Sequence, residues 1–179
     1  MQNKVFKFFL TVSFIILSPT FLSGATSNIE LMKQKWPFNG IFGRFDNTAL
    51  QRGFKVYREV CAACHGIRHI SYRDLKDIGY SSDEIKSIAG EYEITDGPND
   101  EGEMFEREAL PSDKFVGPYE NDNAARLANN GAYPPDLSLI VKARAGGADY
   151  LYSLLSGYKE FPEDFEASEG MYYNIFYPG

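Results

Sequence analysis

Apolar residues return at three- and four-residue steps through Leu50, Phe54, Tyr57, Cys61 and Cys64. That spacing puts them on one face of a helix and predicts a helix from Thr48 to His65. Thr48 and Gln51 have the spacing of a capping box at its start. Ser81 and Glu84 repeat that spacing ahead of Ile85 and Ile88, and predict a short helix closed by Gly90. Three more helices are expected. Asn121 to Asn130 is stopped by Gly131. Asp136 to Ala145 follows Pro134-Pro135 and ends at Gly146-Gly147. Asp149 to Ser156 is closed by Gly157. No strand-length alternation, internal repeat or low-complexity tract breaks the pattern. The fold class read from it is all-α, one domain with long irregular loops wrapped around a cofactor.

The N-terminus is a different kind of segment. Lys4 and Lys7 precede the apolar run Phe8 to Leu17, and Pro19 and the small residues Ser23-Gly24-Ala25 follow. A basic start, a short apolar stretch and a small-residue site read as a secretory signal peptide over 1–25, cleaved after Ala25. An uncleaved N-terminal anchor is the alternative, although the run is short for a membrane span. A mitochondrial presequence would be rich in arginine, and the first arginine is Arg44. The expected mature domain is therefore 26–179, on the periplasmic side of a bacterial inner membrane.

Charge narrows the partners. The chain carries a formal charge of −7, and the first 25 residues hold two lysines and no acid, so the mature domain stands at −9. That balance excludes a nucleic-acid binder. Between Glu91 and Asp122 there are eleven acids against Arg107 and Lys114. The stretch reads either as a solvated loop or as a docking surface for a basic partner, whose approach it would accelerate. Asp96, Asn99, Asp100 and Glu101 miss the alternating ligand offsets of an EF-hand calcium loop.

Cys61-Ala62-Ala63-Cys64-His65 carries the chemistry. Cys-x-x-Cys-His is the attachment signal of a c-type haem: each thiol adds to one porphyrin vinyl group, and the histidine becomes the proximal iron ligand. These are the only two cysteines. A thioredoxin-like redox pair would want a βαβ context, and a zinc site would need two more ligands where His65 and His69 are the only histidines. Export agrees with haem attachment outside the cytoplasm. For the sixth iron ligand, His69 falls one turn beyond His65 on the expected helix, roughly 5–6 Å away, which keeps it on the wrong side of the porphyrin. Met32, Met104 and Met171 are the remaining candidates, and the residues alone leave the choice open.

Arg52-Gly-Phe-Lys-Val-Tyr-Arg-Glu-Val-Cys-Ala-Ala-Cys-His65 resembles the haem-attachment segment of cytochromes c1, the haem subunits of ubiquinol–cytochrome c oxidoreductase (bc1) complexes. The resemblance continues through Asp96-Gly-Pro-Asn99 and Gly102-Glu-Met-Phe105. It is densest at Ala128-Asn-Asn-Gly-Ala-Tyr-Pro-Pro-Asp-Leu-Ser138 and Ala143-Arg-Ala-Gly-Gly147, and closes at Asp149-Tyr150 and Tyr177-Pro-Gly179.

What this resemblance implies is one haem c held through Cys61 and Cys64, with His65 as proximal ligand. Asn129 and Pro135 would line the haem pocket, with the Pro134-Pro135 turn on the His65 side. Arg144 and Tyr150 would meet the haem propionates. A guanidinium fork suits a carboxylate; a charge at a helix C-terminus is the other account of Arg144. The chain would not be an enzyme in its own right. It would take electrons from a Rieske iron–sulfur subunit, pass them to a cytochrome c docking at 91–122, and sit beside cytochrome b, where quinol chemistry belongs to other subunits. An independent soluble periplasmic carrier and an open-site haem sensor or peroxidase are the alternatives. In the family the distal methionine, a helix packing across the haem-bearing helix and a transmembrane anchor come after the position of Gly179, and the position of Met171 is not the ligand. The chain is thus expected to be a truncated reading, and alone to be poorly stable with a low-potential haem.

Overall fold

Asp46 starts the first helix. In the computed structural model, which describes residues 29–165 and 170–177, its carboxylate accepts the Thr48 N–H at 2.9 Å and caps helix α1, Asn47–Glu59. The expected box between Thr48 and Gln51 does not form. Gln51 instead donates its side-chain amide to the Ile78 carbonyl at 3.1 Å, tying α1 to the next element. The expected signal peptide lies outside the described residues.

Helix α1 also stops six residues short of the expected His65. It ends at Glu59, and Cys61–Ala63 form a single 3-10 turn. The backbone leaves helical geometry at Val60, with φ −125° and ψ −61°, and past His65 it bonds to another segment of the chain. Leu137 N–H donates to the Gly66 carbonyl at 2.8 Å, Arg68 N–H to Asp136 at 2.9 Å, and His69 N–H to the Ser138 hydroxyl at 3.1 Å. Those partners replace the i→i−4 ladder from Gly66 onward.

A second 3-10 helix, Tyr72–Ile78, is opened by a Ser71–Asp74 capping box and closed by Gly79 in the left-handed region at φ 97°. Helix α2, Ser82–Ala89, forms as expected, with Ser81 and Glu84 exchanging their hydrogen bonds. These elements enclose the core: Phe54 from α1, Tyr72 and Leu75, Ile85, Ile88 and Ala89, with Ala109 and Phe115. Phe54 stands edge-on to both Tyr80 and Phe115, with centroids 5.7 and 5.8 Å away.

The acidic stretch holds a hairpin where no strand was expected. Strand β1, Glu93–Asp96, pairs antiparallel with β2, Phe105–Glu108, with Glu93 opposite Glu108 and Thr95 opposite Glu106. Alternation exists, but in charges: Glu93, Thr95, Glu106 and Glu108 share the outer face, and Ile94, Asp96 and Arg107 share the inner one.

Helix α3, Asp122–Ala128, is capped by Asn121 and terminated through Asn129, with Asn130 and Gly131 at positive φ. Helix α4 is only Ile140–Ala143, against the expected Asp136–Ala145. Asp136 spends its carboxylate on the Ser138 and Arg68 N–H groups, which holds its segment in a turn rather than a helix. Helix α5, Gly147–Ser156, begins two residues before the expected Asp149. The N-terminal arm runs along α5: Ser153 accepts the Met32 N–H, and Asp149 accepts Gln34 N–H and the Trp36 indole N–H. A second small hairpin joins β3, Tyr158–Lys159, to β4, Tyr173–Asn174. Among the described residues no helix is long and apolar enough to cross a membrane. The whole remains mostly helical and irregular, with few short strands.

Candidate functional site

Cys61 and Cys64 stand three residues apart on the turn that ends α1, half-buried and as free thiols. The Cys61 carbonyl accepts both the Cys64 N–H, at 3.1 Å, and the His65 N–H, at 2.8 Å, which makes the turn tight and places His65 directly beyond it. The His65 ring nitrogen Nδ1 lies 2.7 Å from the Pro135 carbonyl oxygen. A carbonyl only accepts, so Nδ1 carries a proton and donates, and in the neutral ring it is Nε2 that holds the lone pair. That is the tautomer a metal ligand needs, and the donated bond fixes the ring's orientation. The Tyr57 hydroxyl donates to the His65 main-chain carbonyl at 3.0 Å. Burial pushes the Tyr57 phenol up to about 12, helped by Tyr92.

Asp136 is the node that fixes this arrangement. Its carboxylate accepts from Arg68 and Ser138 main chain and faces the Arg68 guanidinium at 3.9 Å. Burial pushes its pKa upward, but the hydrogen bonds from Ser138 and Arg68 outweigh that and hold it below the usual aspartate value. A side chain at Gly66 would meet Asp136 at 3.3 Å, so the two strands of chain approach closely there. Cys64, Arg68, Tyr119, Tyr133 and Pro134 border a cleft of about 240 Å³ beside the turn.

Of the other expected site residues, Pro135 is brought against His65 through its carbonyl. Asn129 spends both amide hydrogens, on Tyr119 Oη at 2.9 Å and on the Ala125 carbonyl at 2.7 Å, so it shapes a wall rather than offering a donor. Arg144 is the exposed C-cap of α4, and Tyr150 is half-buried in α5. Among the described residues neither forms a hydrogen bond or ion pair with the Cys61–His65 turn. His69 does not sit one helical turn above His65, because residues 65–69 are not helical. Its N–H goes to Ser138 and its carbonyl accepts from Lys114 Nζ at 2.8 Å. Met104, between β1 and β2, and Met171 are exposed, and Met32 belongs to the arm on α5.

The donor set fits a covalently held porphyrin. Two free thiols share one turn, an imidazole is locked by its Nδ1 bond, and Leu127, Leu139 and Val141 are apolar side chains left exposed. Among the described residues no group of three or more His, Cys, Asp and Glu converges as a metal site would require. Tyr57 and Asp136 escaped sequence reasoning. Asp136 had a signal in Pro-Pro-Asp-Leu-Ser, where an aspartate two residues before serine can close an Asx turn; Tyr57 read only as a core position.

The acidic surface is organised by one arginine. Arg107 binds Asp113 through both terminal nitrogens, at 2.7 and 3.3 Å, and Asp96 through Nε. Glu91 pairs with Arg58. The remaining carboxylates, Glu93, Asp100, Glu101, Glu103, Glu106, Glu108, Glu120 and Asp122, have no cation partner among the described residues. Hydrogen bonds from Arg107 hold Asp113 and Asp96 below the usual aspartate range and raise Arg107 itself. A carboxylate with a depressed folded pKa adds stability above its unfolded value of about 3.9 and loses it as pH falls through the folded value. Thermal melting followed by circular dichroism should therefore be level from pH 7 to about 5 and drop below about 4. Arg107→Gln should melt lower at pH 7 and show a shallower acid drop; an unchanged acid limb would refute the assignment.

A sequence model of the cytochrome C1 family matches residues 36–179. The chain is 49% identical over 155 residues to "Cytochrome c1 1, heme protein, mitochondrial" of Arabidopsis thaliana, covering 87% of this chain and 50% of that protein. It is 46% identical to "Cytochrome b-c1 complex catalytic subunit, mitochondrial" of Candida albicans, over 95% of this chain and 61% of that one. It is 45% identical to "Cytochrome c1" of Rhodospirillum rubrum, over 84% and 61%. The chain thus spans about half to three fifths of the length of these relatives.

Proposed function

The chain belongs to the cytochrome c1 family, and on that premise we propose that its mature domain, 26–179, is a one-electron carrier holding a single haem c. Haem c, when bound, supplies an Fe(III)/Fe(II) couple. The observation that carries this reading is the hydrogen bond from His65 Nδ1 to the Pro135 carbonyl beside two free thiols on one turn. Cys61 and Cys64 form the thioethers, and His65 is the proximal ligand. The Pro135 carbonyl fixes the orientation of the imidazole, while Asn129 walls the pocket through Tyr119. Arg144 and Tyr150 pair with the propionates; the support is that the Arg144 guanidinium has no partner among the described residues. The chain takes electrons from a Rieske iron–sulfur subunit alongside cytochrome b in a bc1 complex, and does no quinol chemistry itself. The outer face of the β1–β2 hairpin, with its unpaired carboxylates, draws in a basic cytochrome c. The site of action is the periplasmic face of a bacterial inner membrane, reached by the 1–25 signal peptide.

The test is a haem-stained denaturing gel of membrane and soluble fractions from the source cells, probed with an antibody to this chain. A haem-positive band in the membrane fraction that co-purifies with a Rieske protein is the expected result. A haem band confined to the soluble fraction would replace the complex subunit with a free carrier, and an immunoreactive band without haem would overturn the reading.

A further inference from the structure

We propose that Tyr57 is a positioning residue for the iron-ligating imidazole, acting through the main chain of His65. This rests on the reading of His65 as the proximal ligand. Three hydrogen bonds hold His65, and its N–H is taken by the Cys61 carbonyl at 2.8 Å within the turn. Its ring is held by the Pro135 carbonyl at 2.7 Å, and its own carbonyl is held by the Tyr57 hydroxyl at 3.0 Å. The bond from Tyr57 spans eight residues and crosses the turn that bears both thiols. It matters because α1 ends at Glu59 and the chain is not helical past His65, so no helical N–H takes up the His65 carbonyl and the Tyr57 hydroxyl does so instead. Tyr57 belongs to the helix, with its ring stacked 6.3 Å from Phe54 in the core. Its hydroxyl therefore transmits the position of a packed helix to a residue that has left it. Only with the His65 main chain held does Nδ1 keep its aligned bond to Pro135. A hydrogen bond that is strongly donated by Nδ1 makes the imidazole a better electron donor and favours ferric iron. Loosening it favours ferrous iron.

The experiment compares the full chain, matured with haem in a periplasmic host, with Tyr57→Phe. That change removes one oxygen and leaves the ring in place. Tyr92→Phe, which removes a nearby phenol with no bond to His65, is the control. Two quantities are read: the midpoint potential, and deuterium exchange of the His65 Nδ1 proton by NMR in the diamagnetic ferrous carbon-monoxide form. In Tyr57→Phe the potential should rise and the exchange should quicken about two- to tenfold, the range that losing one hydrogen bond allows. Tyr92→Phe should move neither. Haem uptake with unchanged potential and exchange in Tyr57→Phe would overturn the inference while leaving the proposed function standing. A Tyr57→Phe chain without haem would assign the hydroxyl to folding and overturn it too. Absence of covalent haem in the unaltered chain would instead sink the reading on which it rests.

Discussion

A chain in which Cys61 and Cys64 are both replaced by serine is expected to lose all haem stain on a denaturing gel while its immunoreactive band remains. The reason is bond type. A thioether survives denaturation, whereas coordination by an imidazole, the role proposed for His65, and apolar contact do not. Serine preserves size and the turn, since both hydrogen bonds within the turn are made by main-chain groups of Cys61, Cys64 and His65. The fold should therefore survive and the covalent link alone should go. Each single serine variant should keep one thioether and still stain, with its α band shifted in the pyridine haemochrome spectrum because one vinyl group is left intact. A double variant that still stained would mean that the haem is held elsewhere.

The second large effect is on stability. Phe54→Ala should cost about 3 kcal/mol, measured by urea unfolding at neutral pH. Phe54 is 9% exposed and packs against Tyr57, Tyr80 and Phe115. Truncation opens a cavity that those rings cannot fill without giving up their own contacts. The cost sits at the low end for a buried phenylalanine because the ring also borders an open cleft of about 570 Å³. The consequence reaches the site, since Phe54 anchors the helix whose last turn leads into Cys61. Haem uptake should fall in the same variant. A loss below about 1 kcal/mol would show that α1 is held by something other than this aromatic cluster.

These effects mark how far local pattern carries. The Ser81–Glu84 box formed as read, because capping depends on residues within one turn of each other, and the helix read from Asn121 forms over Asp122–Ala128. Phe54 and Tyr57 of the stripe face the core as their spacing required, since amphipathic periodicity survives any compatible partner, while Leu50 is half-buried outside that cluster. The hairpin at 93–108 was missed because its alternating residues are charges, held by Arg107 where apolar packing would have left a visible pattern. The helix expected over Asp136–Ala145 lost its start to hydrogen bonds with residues 65–69, made across about seventy residues of sequence, and the same bonds keep the chain from continuing as a helix past His65.

By itself, then, the sequence determined the chemistry: two thiols and an imidazole in a five-residue run can be read without any neighbour, and so can the acidic bias of 91–122. Only the tertiary structure decided the state of that chemistry. Which nitrogen of His65 is free depends on a carbonyl seventy residues away. Which acids remain unpaired depends on where Arg107 and Arg58 reach. Residue types carry reactivity, but tautomer, charge pairing and orientation are set by hydrogen bonds between segments that only the folded chain brings within 3 Å of each other.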